Sequence, residues 1–277
     1  MPICNIEMAY SINIKGKLMT FDTPVVMGIL NVTGDSFYAS SRVSCEELAL
    51  RAKDMLANGA SILDVGACST RPGSEPVSQA EELARLHSAL DVLDKELPDA
   101  VVSVDTFRAE VVRECAKEHN VSIINDVSGF DWDAGMFDAV VESALPYVLT
   151  HSLDVKALPH CTPQVLAALS QKMWQLHQSG VRDVIIDPGF GFGKTLEQNF
   201  ELFGNLREFA MLEAPMLVGV SRKSMITKTL GVTAGEALQG TVALNTMALD
   251  RGADILRVHD VKEAAQVVAM WRSVNGI

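Results

Sequence analysis

The sequence predicts a single-domain α/β protein, a (β/α)8 TIM barrel over residues 1–277 with an N-terminal β-hairpin. Three observations lead there. The chain has 277 residues, close to the ~250 that such barrels take. A short β-branched run followed by an amphipathic helix recurs eight times, an alternation that implies parallel strands joined by crossovers. Finally, each run ends in polar residues, and the carboxyl ends of barrel strands are where these enzymes carry their chemistry. An open doubly wound sheet would suit the same alternation, but eight regular units favour closure.

Alternation of apolar and polar residues from Ile6 to Phe21, turning near Lys15-Gly16, gives the hairpin. The expected barrel strands are Val25–Asn31, Ile62–Gly66, Val101–Asp105, Ser122–Asp126, Tyr147–His151, Asp183–Asp187, Met216–Ser221 and Ile255–His259. Helical periodicity covers Glu46–Asn58, Ala80–Glu96, Arg108–Glu118, Pro163–Ser179, Leu196–Phe209, Gly235–Arg251 and Lys262–Val274, and more weakly Met136–Ser143. Asn58-Gly-Ala-Ser-Ile-Leu-Asp64 and Arg251-Gly-Ala-Asp-Ile-Leu-Arg257 echo each other, each with a glycine closing a helix before a strand.

Composition narrows the function. A formal charge of −12 argues against nucleic-acid or anionic-membrane partners, so cations that hold an anionic ligand must be gathered locally. The 5 cysteines are scattered, without C-x-x-C, which suits reduced thiols in the cytoplasm. No run is long and apolar enough to suggest a membrane span. His87, His119 and His177 fall in helical segments and read as surface residues.

The polar strand ends are Asn31, Asp64, Asp105, Asn125 with Asp126, His151, Asp187, Ser221 to Lys223, and Arg257 with His259. Gathered on one rim, they imply a shared ligand site. Asp105, Asn125 and Asp187 offer donors and acceptors suited to a planar heterocycle with an amidine-like edge. Asn125 and Asp126 could equally orient neighbouring loops. Asp187 opens Asp-Pro-Gly-Phe-Gly-Phe-Gly-Lys194. This stretch mimics a phosphate-binding loop, but Pro188 stands where the first glycine belongs and Lys194 where a dinucleotide motif needs its last. A loop carrying Phe192 as an aromatic wall is the better account. Arg71, Lys223, Arg257 and His259 are the cations beside strand ends, pointing to a phosphate-class substrate. The backbone of Ser221-Arg-Lys-Ser224, before a short helix, suits an anion. Magnesium held by substrate phosphates and Asn31 is compatible with this set; structural zinc is not supported by the ligand spacing.

Taken together, Met27-Gly-Ile-Leu-Asn-Val-Thr33 with Asp35-Ser-Phe37, Ser69-Thr-Arg-Pro-Gly73, Ser103-Val-Asp-Thr106, Asn125-Asp126, Asp187–Lys194, Ser221-Arg-Lys-Ser224 and Arg257-Val-His-Asp-Val261 resemble the dihydropteroate synthases. The likeness runs from about Val25 to Asn275. It implies condensation of 6-hydroxymethyl-7,8-dihydropterin pyrophosphate with 4-aminobenzoate, giving 7,8-dihydropteroate and pyrophosphate in folate synthesis. By similarity, Asp105, Asn125, Asp187 and Lys223 hold the pterin, with Arg257 against its face. Asn31, Arg71, Arg257 and His259 hold pyrophosphate, with Mg2+ at Asn31, while Thr70, Pro72, Phe192 and Ser224 frame the aminobenzoate. Asp105, Lys223, Arg257 and His259 are the catalytic candidates of a dissociative reaction. The resemblance also implies a homodimer and a sulfonamide target.

Four departures stand out. Gly34 replaces a proline, Tyr38-Ala-Ser-Ser41 replaces Ser-Asp-Gly-Gly, Gly66-Ala-Cys68 replaces Gly-Gly-Glu, and Thr150-His-Ser152 replaces Met-His-Met. They predict retained activity with altered rate or sulfonamide response. The alternatives are a catalytically weak pterin-binding paralogue and a pterin-dependent methyltransferase; the latter has no use for Ser-Thr-Arg-Pro-Gly or Ser-Arg-Lys.

Overall fold

The computed structural model describes residues 10–32, 42–68 and 77–277. Its first elements are antiparallel strands β1 (Ser11–Ile14) and β2 (Lys17–Thr20), paired Ile14 to Lys17. Lys15 and Gly16 between them both have positive φ, 52° and 84°, the backbone of a type I′ turn that matches strand twist.

The barrel follows in order: β3 (Val25–Asn31), α1 (Arg42–Ala57), β4 (Ala60–Gly66), α2 (Gln79–Glu96), β5 (Val102–Asp105), α3 (Ala109–Glu118), β6 (Ile123–Asp126), α4 (Met136–Ser143), β7 (Tyr147–Thr150), α5 (Thr162–Gln178), β8 (Val184–Asp187), α6 (Leu196–Gly204), β9 (Leu217–Val218), α7 (Ser224–Leu230), α8 (Leu238–Leu249), β10 (Ile255–Val258) and α9 (Val261–Asn275). The strands are parallel and ordered β8-β7-β6-β5-β4-β3-β10-β9. A bridge from Ile186 to Met216, with Ile186 N donating to Pro215 O at 2.9 Å, joins the two ends. Closure, rather than an open sheet, is therefore the outcome.

Two apolar layers hold it. The larger packs outward strand faces against helices and includes Leu63, Val104, Ile124, Leu149 and Ile186. The smaller lies inside the barrel: Met27, Ile62, Ile123, Val148, Ile185, Leu217 and Ile255, with Ile12, Ile14 and Phe21 of the hairpin segment. The hairpin thus plugs the barrel floor, at the amino ends of the strands.

Three expected elements differ. The strand read as Met216–Ser221 is only Leu217–Val218, because the chain turns out of the sheet towards Arg222, which has a φ of 55°. The helix read as Leu196–Phe209 stops at Gly204 and resumes as a 3-10 helix over Leu206–Leu212. Asn205 at the junction donates from Nδ2 to Thr162 Oγ1 at 3.1 Å, drawing the backbone aside. The stretch read as one helix from Gly235 begins as a separate 3-10 turn, Ala234–Glu236, in which Thr233 and Glu236 form a capping box.

Candidate active site

Side chains alternate faces along a strand. Met27, Ile62, Ile123, Ile185 and Ile255 face the barrel interior. Counting on by twos towards the carboxyl ends reaches Asn31, Asp64, Asp105 (from half-buried Val101), Asn125, Asp187 and Arg257. One parity thus fills the floor with hydrocarbon and the mouth with polar groups. Strand register reinforces this: Asn31 pairs with Gly66, Gly66 with Asp105, and Asp105 with Asn125, a single row across four strands.

At the centre, Arg257 Nε donates to Asp64 Oδ2 at 2.6 Å, and its Nη2 donates to Asp105 Oδ2. Asn125 Nδ2 donates to the same Asp64 oxygen at 3.0 Å. Gly219 leaves room for Arg257, whose Cβ would lie 3.8 Å from a Cβ added there. Asp64 is wholly buried. Burial pushes the Asp105 carboxyl up to about 7; Arg257 opposes the rise while Asp64 adds to it. Burial works to lower the Arg257 pKa, but Asp64 and Asp105 outweigh it and the net shift is upward. The guanidinium stays charged.

On the opposite wall, Asp187 Oδ1 accepts from Gly189 N at 2.8 Å. Burial raises its pKa against the pull of Lys223. Lys223 Nζ donates to Phe190 O at 2.6 Å and sits 4.9 Å from the centre of the Phe192 ring. Burial lowers its pKa to about 8, with Asp187 opposing and Arg257 assisting. These couplings tie Asp105, Asp187, Lys223 and Arg257 into one electrostatic unit. His259 stands beside it, with Nδ1 2.9 Å from Ser221 Oγ. Ser224 is exposed at the first turn of α7.

Such a mouth can grip a flat, hydrogen-bonding ring and carry charge of both signs. A family model described as pterin binding enzyme matches residues 27–259. The chain belongs to the pterin-binding enzymes. Its relatives in the family include the dihydropteroate synthase of Bacillus subtilis, 36% identical over 96% of this chain and 94% of that protein. The Escherichia coli enzyme of the same name is 38% identical over 92% and 93%. A Yersinia pestis dihydropteroate synthase solved with a sulfonamide drug superposes with a TM-score of 0.89 at 32% identity, covering 97% of this chain and 100% of that one. A Clostridium difficile dihydropteroate synthase solved in the presence of pteroic acid superposes at 0.85 with 35% identity, over 91% and 97%.

Within this pterin-binding barrel, Asn31, Asp105, Asn125, Asp187, Lys223, Arg257 and His259 all reach the mouth, and Phe192 walls it. Thr70, Arg71 and Pro72 lie outside the described residues, as do Gly34 and Tyr38-Ala-Ser-Ser41. Cys68 is half-buried, with a thiol raised above its usual pKa by burial. Thr150 and Ser152 are both described: Thr150 is buried, and Ser152 Oγ donates to Ser128 O at 3.1 Å.

Two residues, Asp64 and His119, need a different account from the one the sequence suggested, while Asp126 keeps the loop-orienting role it offered and Arg222 stays outside the cation set. Asp64 was visible as a strand end but not as a site residue, yet it is the shared anchor of Arg257 and Asn125; a carboxylate inside the apolar run Ile62–Gly66 was the available signal. Asp126 serves its own loop, accepting from Ser128 N at 2.7 Å, Phe130 N at 2.8 Å and Tyr147 Oη at 2.7 Å. Arg222 adds no charge to the mouth, since it donates to Asp260 from Nε at 2.9 Å and Nη2 at 2.6 Å. His119 is not a surface residue: its side chain is only 5% exposed.

Lys194, which gave the glycine run its phosphate-loop look, is buried. Its Nζ donates to Gly189 O at 2.8 Å, Phe192 O at 3.0 Å and His151 O at 3.2 Å. It therefore staples the loop that carries Phe192. Burial lowers Lys194 to about 7 and His151, 3.1 Å away, to about 3.

A second buried network joins α2 to the turn that follows β5. Glu82 accepts from Thr106 Oγ1 at 2.7 Å and from Arg108, which also donates to Val77 O at 2.6 Å. It fixes the chain at Val77, just ahead of α2.

Proposed function

We propose that this protein is a dihydropteroate synthase that condenses 6-hydroxymethyl-7,8-dihydropterin pyrophosphate with 4-aminobenzoate. The observation that carries the reading is the cluster of Arg257, Asp64 and Asp105 facing Asp187 and Lys223 across one mouth. Asp105, Asn125 and Asp187 supply in-plane partners for the pterin edge, and Lys223 supplies a donor. Arg257 lies where a ring face and a departing phosphate can both meet it.

In the proposed reaction the bond from the pterin methylene carbon to the pyrophosphate oxygen breaks first, and its electron pair leaves with pyrophosphate. The carbon then carries cationic character, which Asp105 and the shielded Asp64 stabilise through fixed charge. Arg257 and His259 steady the anion. The aniline nitrogen attacks the methylene carbon, and the new C–N bond is completed when nitrogen releases a proton to water. Positioning and electrostatics carry the chemistry; no covalent enzyme intermediate is required.

Magnesium fits the oxygen donors present. A Cβ added to Gly66 would lie 3.5 Å from Asn31 Oδ1, so this hard oxygen borders the gap that Gly66 leaves and would hold the ion together with substrate phosphates. When bound there with substrate phosphates, the ion would neutralise charge on the leaving group. Phe192, together with Ser224, Thr70 and Pro72, would frame the aminobenzoate and hence a sulfonamide; the solved Yersinia pestis relative was crystallised with such a drug.

The reading includes a cytoplasmic homodimer. Cys45, Cys68, Cys115 and Cys161 are free thiols, and no helix among the described residues is long and apolar enough to cross a membrane. Met247, Met270 and Val274 are 46%, 66% and 81% exposed on α8 and α9, an apolar face that self-association would cover.

The test is a steady-state assay of pteroate formation and pyrophosphate release with Mg2+, run beside Lys223→Ala. Turnover by the wild type and its collapse in the variant support the proposal. Binding of the pterin substrate without turnover would instead mark a pterin-binding paralogue, and methyl transfer to a corrinoid without pteroate would mark a methyltransferase.

A further inference from the structure

On the outer surface, away from the mouth, α2 and the end of α3 bring together His87, Glu118 and His119. One ring nitrogen of each histidine and a Glu118 carboxylate oxygen all lie within 4.8 Å of one another. Among the described residues this is the one group of three or more His, Cys, Asp or Glu side chains so placed.

The hydrogen-bond order says which lone pairs are available. His119 Nδ1 lies 2.9 Å from Asp94 Oδ2. A carboxylate accepts only, so Nδ1 carries the proton and His119 Nε2 is left with a lone pair. That nitrogen faces His87 Nδ1 at 2.7 Å, and Glu118 Oε2 lies 3.8 Å from the same His87 atom. Two imidazole nitrogens and a carboxylate oxygen thus converge on one point, and a carboxylate behind one imidazole fixes its tautomer. This is the arrangement that supports metal-binding histidines.

We infer that His87, His119 and Glu118 form a site for a single divalent ion of the zinc class, a staple between α2 and the end of α3. The ligand set suits it: two imidazole nitrogens favour zinc, nickel or copper over magnesium, and zinc also takes a carboxylate oxygen. Zinc–nitrogen bonds of ~2.0–2.1 Å place two tetrahedral nitrogens about 3.4 Å apart, so the rings must part by less than ~1 Å. His87 takes its Nε2–H tautomer when Nδ1 binds the ion, leaving the proton count unchanged. The His119 side chain is 5% exposed and the His87 side chain 29%, so one side stays open for water as a fourth ligand. Asp91, with Oδ1 3.9 Å from His119 Nδ1, and Asp94 add negative charge around the ion. The site is independent of the pterin chemistry.

Chelator-stripped full-length protein titrated with zinc alone, by calorimetry, gives one bound equivalent and a raised melting temperature. Cobalt in its place gives the visible absorption of a four-coordinate ion. His87→Ala and Glu118→Gln, both at partly exposed positions, are expected to weaken binding at least tenfold and to abolish the thermal shift. Asp94→Asn, which touches no ion, weakens it about 10–100-fold. Equal zinc affinity in wild type and His87→Ala would place the ion elsewhere and overturn the inference. Absence of any bound equivalent at micromolar zinc would reduce the pair to a plain hydrogen bond and overturn it as well.

Discussion

Arg257 reaches across the barrel mouth to Asp64, with Nε 2.6 Å from Oδ2, although the two strands bearing them are separated by β3. The pair ties β10 to β4 over the intervening strand, a side-chain link added to a ring that backbone pairing already closes. Asp64 has no exposed surface and the Arg257 side chain is 18% exposed. Removing one partner therefore leaves a buried charge short of compensation, a loss of roughly 3–5 kcal/mol for an isolated pair. Since Asp105 still holds Arg257, Asp64→Asn is expected at the lower end, about 3 kcal/mol, read from urea unfolding. A variant as stable as wild type would show that Asp64 does not anchor the guanidinium.

Lys223 should matter for rate far more than for folding. It is held by a single carbonyl, Phe190 O, and burial already disfavours its charge. Lys223→Ala is expected to lower kcat/KM by ~10²–10³, the usual cost of one electrostatic donor in a closed site. Its melting temperature should stay within a few degrees of wild type. A variant with unaltered kcat/KM would remove Lys223 from the machinery.

The pH profile follows from the two shifted groups. The reaction needs Asp105 ionised and Lys223 protonated, and their pKa values are about 7 and about 8. The profile of kcat/KM, which reports the free enzyme, should rise through about 7 and fall above about 8. The stability consequence has its own sign. The Asp105 carboxyl is raised from 3.8 to about 7, so between those values the folded chain holds a proton that the unfolded chain has released. Its contribution to stability is full below 3.8 and is lost as pH rises through about 7. Asp105→Asn should flatten that segment of the stability curve relative to wild type. An unchanged slope would mean the carboxyl is not raised.

Much of this was legible in the sequence because strands impose a period of two. Asn31, Asp105, Asn125, Asp187 and Arg257 could be assigned to one rim from their places at the ends of apolar runs. Partners were not legible, since hydrogen bonds link residues far apart in the chain. The period of two separates inward Asp64 from outward Asp126, but it does not say that Asp64 anchors Arg257 or that Asp126 serves its own loop. The same limit hid His119. Its helical periodicity suggests exposure, but Asp94 and His87 arrive from a different helix and cover it. Arg222 and Lys223 are neighbours of equal charge, yet the left-handed backbone at Arg222 sends one to Asp260 and leaves the other at the mouth.

Lys194 and Gly189 together test the account of the glycine loop. If Lys194 staples carbonyls rather than binding phosphate, Lys194→Met should cost roughly 2–3 kcal/mol, because the buried Gly189 and His151 carbonyls and the part-buried Phe192 carbonyl lose their donor. Affinity for pyrophosphate, measured by calorimetry, should stay close to wild type. Gly189 has a φ of 74°, and a Cβ there would lie 1.9 Å from His151 O. Both strain and collision act on backbone that cannot move aside, since His151 N donates to Asp187 O at 3.0 Å. Gly189→Ala is therefore expected to lose roughly 3 kcal/mol or more. It should also weaken binding of the pterin substrate, because Gly189 N is the donor that fixes Asp187 Oδ1. A Gly189→Ala protein with wild-type stability and pterin affinity would contradict both the backbone geometry and the role of Asp187 that depends on it.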